Sequence, residues 1–528
     1  LLKFLKIQNG ISTQNVLKTF TLIIGIIIVM PILFILIESI NLKSFDFSLS
    51  ISNYILSTAK LVLYTSIISI LLAVVPAWII TFSGIKYKFL FDLLHILPLS
   101  IPAYIMAFTY ADILGFNGYF DVYLQNNFNT RLSFDVLTIE WLSLFLALSL
   151  YPYIFATARI SFKIIGRNYL SLSKVLGLNK IKTFFKVILP LSTPAILSGT
   201  MLVVMEILNE YGAVNYFGIN TFSVGIFKYW FSMDNKSTAI LFSFLLLIIV
   251  LFLFWILNNI KKNDEKIKYH IKTSAHNYIN ETKNRKFKYV IVSIPIFFAL
   301  IIPLIFIVRN VKSNFHLYDW SELFNIFIDT FYIALVSSLI ITFISFFILS
   351  VKRYSKENRV QLLTIFLSTG YAIPGAVIGL ALMLTLQYLS PNLNFLMGSI
   401  SLLVYAYIFR FIAVAIFPLE SNFKQQPLKF DELGKSLNLT SLQIFTKINF
   451  PLSKFAIISS FLLVFIDVFK ELPLTLILRP FNYETFATQT YQYATEEMLS
   501  YSSIYSLCII ITCSIIIVFS KIILKSRA

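Results

Sequence analysis

The chain has little charge and almost no cysteine or histidine. Only 13% of its 528 residues are charged, two are cysteines and four are histidines. Cys508 and Cys513 are five positions apart in one apolar run, so they do not share a helix face and indicate neither a disulfide nor a metal site. A phosphate-binding G-x-x-x-x-G-K-[ST] loop, an H-E-x-x-H sequence and a Cys/His cluster are also missing from the sequence. These absences predict a protein that is not an enzyme, has no catalytic residues, binds no cofactor and hydrolyses no ATP itself.

The dominant feature of the sequence is a series of long apolar runs. Hydrophobic residues make up 58% of the chain and its mean hydropathy is +0.82, which is more apolar surface than a soluble protein carries. Runs of 18 or more apolar residues recur, so we predict an all-α polytopic membrane protein with about 12 transmembrane helices. The predicted spans lie near residues 19–40, 54–83, 89–114, 137–158, 193–217, 238–260, 289–308, 327–350, 361–389, 399–420, 455–479 and 502–520.

The basic residues orient these spans. The formal net charge is +18, which in a membrane protein reflects cytoplasmic loops and lipid contact rather than nucleic-acid binding. With the N-terminus inside, most of the 43 Lys and Arg residues fall on the cytoplasmic side. The outside connections carry only Lys43, Arg131, Lys228, Lys236, Arg309, Lys312 and Arg479. The bias predicts a multi-pass protein with both termini in the cytoplasm.

The two halves of the chain repeat each other. Pro102 matches Pro374 at an offset of 272 residues, and Pro190 matches Pro451 at an offset of 261. Six spans return the chain to its starting side, so the halves form two parallel six-helix repeats, related by an axis along the membrane normal. We therefore predict a first transmembrane module at 1–260, a basic cytoplasmic linker at 261–288 and a second transmembrane module at 289–528.

A basic, helix-turn-helix-like loop occurs once in each half. The first copy, Ser171–Pro190, reads SLSKVLGLNKIKTFFKVILP, and the second, Glu432–Pro451, reads ELGKSLNLTSLQIFTKINFP. In each copy a turn-permissive residue, Gly177 or Asn438, precedes the proline by thirteen positions. A polar loop displayed twice between membrane spans predicts a docking element for a soluble partner.

Two acids follow each loop, inside an apolar run. They are Glu206 and Glu210 in the first half and Asp467 and Glu471 in the second, at corresponding positions. The i,i+4 spacing predicts that both members of a pair share a helix face. Since a carboxylate in hydrocarbon is costly, the acids are expected to face a cavity, a pathway or a partner, and their oxygens suit hard cations. Three interpretations stay open: direct contact with substrate, lining or gating of the pathway, and structural pairing, for example of Asp467 with Lys470 or through capping of backbone groups.

The doubled loop resembles the EAA loop of ATP-binding-cassette (ABC) importer permeases. That motif runs Glu-Ala-Ala, three residues, Gly, nine residues, Ile, one residue, Leu-Pro. The first copy keeps its spacing with Ser171, Gly177, Leu189 and Pro190, although Ser replaces the Glu. The second copy keeps it with Glu432, Asn438, Phe450 and Pro451, although Asn replaces the Gly.

Within that superfamily the chain resembles the fused, two-module iron(III) permeases of binding-protein-dependent transport systems. The resemblance rests on EILNEYGAVNYFG at 206–218 and DVFKELPLTLILRPFNYETFATQTYQYATEE at 467–497. It implies a type I importer fold in a bacterial inner membrane and two copies of a cytoplasmic ABC ATPase, which hold the ATP and Mg and dock on the loops. It also implies an extracytoplasmic ferric-binding protein, alternating access, and transient Fe³⁺ contact at the four acids.

Two rival functions remain at this stage. One is an ABC permease for thiamine or another small organic solute. The other, from a different class, is a gradient-driven secondary transporter, against which the doubled loop argues because such a carrier has no ATPase to dock.

Overall fold

The computed structural model describes residues 13–41, 51–130, 134–165, 168–268, 285–354, 357–389, 395–427, 429–437 and 439–525. Asn438 and residues 269–284 of the predicted linker lie outside the described residues. Throughout the described ranges the regular structure is helical, without strands, so the prediction of an all-α protein is confirmed.

The number of membrane spans agrees with the prediction. Ten described helices are long and apolar enough to cross a membrane, and up to twelve spans result if each of two bent helix pairs counts as one. The bent pairs are Lys88–Ser100 with Ala103–Phe128, at 87°, and Asn358–Ala372 with Gly375–Tyr388, at 115°. The predicted third and ninth spans are therefore broken rather than straight.

Both breaks occur at the prolines that the repeat aligns. Pro102 and Pro374 have no backbone N–H to continue a helix, and proline disfavours helical geometry in the residue before it. Ile101 accordingly has φ −96° and ψ 105°, and Ile373 has φ −84° and ψ 123°. The same local chemistry bends the chain at the same point of each half.

The described residues divide into two compact units, each built from two segments of the chain. Unit 1 comprises the described residues within Leu1–Lys43 and Phe324–Thr485, and unit 2 comprises those within Ser44–Leu323 and Phe486–Ala528. These units are defined by packing, whereas the predicted modules are defined by the sequence repeat, so the boundaries at 1–260, 261–288 and 289–528 stay a prediction.

The helices of unit 1 are α1 (Thr13–Asn41), α15 (Trp320–Tyr354, which belongs to unit 1 from Phe324 onward), α16 (Asn358–Thr369), α17 (Gly375–Leu389), α18 (Ile400–Gln425), α19 (Lys429–Ser436), α20 (Ser441–Ile444), α21 (Phe450–Phe469) and α22 (Pro473–Leu478). In this unit, α18 packs along α21, while α1 packs against α16 and α17. Ser399 starts α18 by accepting a hydrogen bond from the Leu402 N–H at 3.2 Å. Tyr407 and Phe411 on α18 are almost completely buried.

The helices of unit 2 are α2 (Ile51–Phe82), α3 (Lys88–Leu94), α4 (Ala103–Leu114), α5 (Tyr119–Phe128), α6 (Ile139–Ile165), α7 (Asn168–Val175), α8 (Lys180–Thr183), α9 (Leu189–Asn209), α10 (Gly212–Tyr216), α11 (Phe222–Phe227), α12 (Lys236–Lys268), α13 (Arg285–Ile296), α14 (Ile302–Ser313), α23 (Phe486–Thr495) and α24 (Leu499–Lys525). Here α6 contacts both α2 and α9 along much of its length. Tyr151 and Phe155 on α6 are buried, and the His95 ring stacks on Phe155 at 4.4 Å between centroids.

Three π-helical turns precede prolines at the same spacing. They span Phe184–Ile188, Phe445–Asn449 and Phe297–Ile301, and each ends two residues before Pro190, Pro451 or Pro303. A proline ring clashes with the carbonyl four residues earlier, and a wider turn relieves that clash without ending the helix. The proline of each doubled loop therefore lies inside a continuing helix.

Candidate functional site

The acids Glu210 and Glu471 cap short helices. Each lies just after a long helix, α9 or α21, has ended. The Ala213 N–H donates to Glu210 Oε1 at 3.0 Å, and the Leu474 N–H donates to Glu471 Oε1 at 3.2 Å. These bonds satisfy amides at the starts of α10 and α22 that have no partner within the helix. The capping interpretation of these two acids therefore has a direct structural basis in both halves.

One part of the acid prediction is wrong. The i,i+4 spacing predicts a common helix face for each pair, but α9 ends at Asn209 and α21 at Phe469. The helix thus stops between the two acids of each pair. Pro473 favours this break in the second half because it opens a new helix without needing a donor. The predicted spans 193–217 and 455–479 are interrupted at the same places.

Glu471 also forms a buried ion pair. Its Oε2 lies 3.4 Å from Nε of Arg410 on α18, and the side chains are only 6% and 4% exposed. A Cβ at Gly375, where α17 begins, would lie 2.8 Å from Arg410 Nη1 and 3.1 Å from Glu471 Oε1, so glycine allows this close approach.

The first half has a different residue at the position of Arg410. At the 261-residue offset the counterpart of Arg410 is Ser149, whose hydroxyl donates to the Ile101 carbonyl at 2.8 Å. The pair therefore has no equivalent at that position of the first half.

Asp467 and Glu206 occupy corresponding positions with different neighbours. The Asp467 carboxylate lies 3.0 Å from Lys470 Nζ, which is the structural pairing that the sequence left open. Glu206 on α9 accepts a hydrogen bond from the Tyr153 hydroxyl on α6 at 3.5 Å. Both acids are partly exposed. Within the described ranges no three His, Cys, Asp or Glu side chains lie together in a way that would hold a metal ion.

The first doubled loop folds as a helix, a turn and a second helix. α7, which contains Ser171, is followed by Gly177 at φ +72°, a conformation that glycine adopts without strain. The Leu178 N–H donates to the Ser173 carbonyl at 2.9 Å, closing the helix end in the manner of a Schellman motif. The Thr183 hydroxyl then donates to Ser173 Oγ at 3.0 Å and joins the two helices.

The second loop repeats this geometry with apolar contacts. The Leu439 N–H donates to the Gly434 carbonyl at 3.0 Å, across position 438. Gly434 packs so closely that a Cβ there would lie 2.8 Å from the Ile448 side chain. Glu432 lies on the exposed side of α19. Leu189 and Pro190 begin α9, and Phe450 and Pro451 begin α21, so each loop leads directly into the helix that ends at a capping acid.

Both loops expose apolar side chains. Val175 is 85% exposed, and Leu176 and its counterpart Leu437 are 76% and 74% exposed. Beneath the second loop, Arg353 at the end of α15 donates from Nε to the buried Asp431 carboxylate on α19 and from Nη1 to the Phe423 carbonyl at 3.0 Å. The loop is therefore anchored to a long helix and presents an apolar surface.

Sequence reasoning missed the roles of Arg410, Gly375 and Arg353. Arg410 carried a signal, because an arginine inside an apolar run needs a partner or a cavity. Its partner Glu471 is 61 positions away, and no local pattern connects the two.

The comparisons with known proteins fit this arrangement. A family model described as the inner membrane component of binding-protein-dependent transport systems matches residues 348–527, which include the second loop, Asp467 and Glu471. The Fe(3+)-transport system permease protein FbpB 2 of Haemophilus influenzae is 24% identical over 443 residues, covering 81% of this chain and 82% of that protein. The prediction of a binding-protein-dependent importer permease is confirmed.

Other relatives of this permease are named for the transport of different substrates. The sulfate transport system permease protein CysT of Salmonella typhimurium is 25% identical over 40% of this chain and 79% of its own length. The molybdenum transport system permease protein ModB of Haemophilus influenzae is 28% identical over 29% of this chain and 65% of its own length. Proteins of this class are multi-pass transport subunits of the inner membrane and act with an ABC ATPase and a binding protein. The class argues against the gradient-driven carrier.

Proposed function

We propose that this permease imports iron(III) delivered by an extracytoplasmic ferric-binding protein. The observation that carries the proposal is the extent of the likeness: the relative named for Fe(3+) transport aligns with 81% of the chain. The relatives named for sulfate or molybdenum align with 40% or less. The chain itself acts as a transport subunit and holds no cofactor.

The cargo path draws its charge from Glu206, Glu210, Asp467 and Glu471. Carboxylate oxygens suit a hard cation such as Fe³⁺ and repel oxyanions, although Lys470 and Arg410 offset part of the charge of Asp467 and Glu471. Glu210 and Glu471 shape the path by capping the helices that follow them. Glu206 and Asp467, which are partly exposed, make the transient contacts with the cargo.

The architecture is that of a type I importer, with two parallel six-helix repeats and both termini in the cytoplasm. Three correspondences support the repeat: the breaks at Pro102 and Pro374, the π turns before Pro190 and Pro451, and the capping acids. Modules at 1–260 and 289–528, joined by the linker at 261–288, follow from the same correspondences.

The two loops couple this permease to its energy source. Two copies of a cytoplasmic ABC ATPase, which contain the bound ATP and Mg, each dock on one loop through exposed side chains such as Leu176 and Leu437. Closure of the ATPases moves α9 and α21, which begin where the loops end, and drives alternating access.

A β-branched residue at Gly177 is expected to uncouple ATP hydrolysis from transport. The left-handed conformation at φ +72° strains any residue with a branched Cβ, while a Cβ added to Gly177 would have no atom within 4 Å, so a clash would not be the cause. We expect Gly177→Val to cut cargo-stimulated ATP hydrolysis about tenfold, because the backbone strain costs about 1–3 kcal/mol and about 1.4 kcal/mol corresponds to a factor of ten in rate.

The second loop supplies the matched control. Asn occupies the corresponding position 438, and asparagine tolerates left-handed geometry, so Gly177→Asn should retain most of the coupling. Normal stimulation of hydrolysis in Gly177→Val would contradict the docking role of this turn. The variants are compared as assembled complexes in proteoliposomes.

The cargo is tested by uptake of radiolabelled Fe³⁺ into proteoliposomes that contain this permease, its ATPase and its binding protein. ATP-dependent accumulation that unlabelled iron competes, and that thiamine, sulfate and molybdate do not, is the expected result. Active ATP hydrolysis without iron uptake would contradict the iron proposal. Uptake of labelled thiamine, sulfate or molybdate in the same vesicles would then identify the cargo class.

A further inference from the structure

Three cations surround one carboxylate in unit 2, and we call them the basic cluster: Arg159, Lys163 and Lys521. Arg159 on α6 binds both carboxylate oxygens of Asp92 on α3, from Nε at 2.8 Å and from Nη2 at 3.2 Å. Lys163 Nζ, one helical turn further along α6, lies 3.6 Å from Asp92 Oδ2. Lys521 near the end of α24 interacts electrostatically with Asp92, Lys163 and Arg159. In the described part of the chain, Asp92 is the only carboxylate within ion-pair distance of Arg159 or Lys163, so three cations against one carboxylate leave an excess of positive charge.

The two lysines are the members of the basic cluster that a further ligand can reach. The Arg159 side chain is only 7% exposed, and its Nη1 donates to the Thr81 hydroxyl at 2.7 Å. The Lys163 side chain is 55% exposed, and Lys521 is half-buried. Because the Asp92 carboxylate already accepts two hydrogen bonds from the guanidinium, a second anion on the exposed side of the lysines would be stabilised by both ammonium groups.

The basic cluster lies where two candidate membrane spans end. The spans of α6 and α24 end at Ile165 and Ile522, within two residues of Lys163 and Lys521. Lysines at the end of a span extend toward the layer of lipid phosphates rather than into hydrocarbon. This end of both helices is the one predicted to be cytoplasmic, where anionic lipids attract basic residues.

Exposed apolar side chains continue from the basic cluster into the membrane. Four of them recur every three or four residues along α24 and are between 48% and 62% exposed, namely Ile511, Ile515, Phe519 and Ile522. This spacing places them on one helix face, which is about 16 Å long, or about half of the hydrocarbon thickness. On α6, Ile160 is 59% exposed and lies one turn before Lys163. An occupant of this surface therefore has an anionic head and an apolar tail about as long as one leaflet.

We propose that the basic cluster binds the phosphate of an anionic phospholipid through the ammonium groups of Lys163 and Lys521. The acyl chains lie along the apolar face of α24 and beside Ile160. Phosphate supplies the negative charge that a single carboxylate does not, and only a lipid also covers the exposed apolar side chains. This site is separate from the proposed cargo path and does not depend on the identity of the cargo.

The corresponding positions of the second half are built differently. At the 261-residue offset Arg159 corresponds to Glu420 and Lys163 to Lys424. Glu420 lies 2.9 Å from Lys352 Nζ and 3.7 Å from Lys424 Nζ, so a carboxylate stands where the first half has a guanidinium. The Lys424 side chain is 72% exposed. Lys424→Gln is therefore a matched control for Lys163→Gln, because it changes the net charge equally and leaves the basic cluster intact.

The test is a titration of the detergent-solubilised, full-length permease with dioleoylphosphatidylglycerol, in which native mass spectrometry counts the bound lipid. One lysine near a membrane surface changes the affinity for anionic lipid about fivefold, so Lys163→Gln should weaken binding about fivefold and the double variant with Lys521→Gln about twenty-five-fold. Lys424→Gln and the charge-preserving Lys163→Arg should retain the affinity of the unaltered permease. Dioleoylphosphatidylcholine, which has the same chains and no net charge, should bind more weakly and respond to none of these substitutions.

Three results would overturn the proposal. Equal weakening by Lys163→Gln and Lys424→Gln would show a general attraction of anionic lipid to a basic protein. Equal binding of the two lipids would show that the charge of the headgroup does not contribute. Displacement of the lipid by an equal concentration of inorganic phosphate would make the basic cluster a site for a soluble anion. The iron-uptake result affects none of these measurements.

Discussion

Replacing Glu206 with Gln and Asp467 with Asn in the same chain is expected to abolish ATP-dependent iron uptake while leaving the permease assembled. The two substitutions remove negative charge from corresponding positions near the ends of α9 and α21 and preserve side-chain size. A trivalent cargo that loses two carboxylate contacts loses charge-assisted interactions of about 1.5–3 kcal/mol each, so uptake should fall by about a hundredfold or more. The measurement is radiolabelled Fe³⁺ accumulation at equal amounts of reconstituted complex.

The controls separate contact with cargo from structural pairing. Asp467 lies 3.0 Å from Lys470, so Asp467→Asn alone also removes the partner of a cation. If loss of the ion pair with Lys470 caused the fall in uptake, adding Lys470→Met would restore uptake, and the acid would be structural. Glu206→Gln preserves the hydrogen bond with Tyr153, because the tyrosine hydroxyl can donate to an amide oxygen as it does to the carboxylate. Unchanged uptake in the double variant would remove both acids from the cargo path.

The helical content and the doubled loop are features that the sequence predicts well, since both depend on short-range chemistry. Apolar runs specify membrane spans, and Gly177 at a fixed distance from Pro190 specifies a turn. The bends at Pro102 and Pro374 were also within reach, because a proline in a long apolar run favours a break. The repeat aligns these two prolines, but the segments around them were predicted as single spans.

The acid region was harder to predict because its geometry depends on a helix end. The four-residue spacing of Glu206 and Glu210 predicts that they are neighbours on one helix. In the structure α9 ends at Asn209, and Glu210 accepts a hydrogen bond from the start of the next helix. No proline marks this break, and Asn209 and Gly212 are the local signals that could have indicated it. The pairing of Glu471 with Arg410 is a contact between distant positions, and only the folded structure brings them together.

Glu471→Gln is expected to destabilise unit 1 far more than the corresponding Glu210→Gln destabilises unit 2. In both variants the amide oxygen can still accept the capping hydrogen bond from Leu474 or Ala213, so loss of the cap does not explain a difference. Only Glu471→Gln leaves the guanidinium of Arg410, with its side chain 4% exposed, without its carboxylate. Removing one member of a buried ion pair costs about 3–5 kcal/mol, which should appear as a large fall in the thermal unfolding midpoint.

A second substitution distinguishes the lost ion pair from a general intolerance of this position. Adding Arg410→Met to Glu471→Gln removes the buried positive charge that has lost Glu471, and replacing a buried pair by apolar residues is often neutral or stabilising. The double variant should therefore recover most of the unfolding midpoint. If Glu471→Gln and Glu210→Gln shift the midpoint equally, the ion pair contributes no more than the cap does. Recovery of stability in the double variant without recovery of iron uptake would show that the Glu471–Arg410 pair contributes to transport as well as to stability.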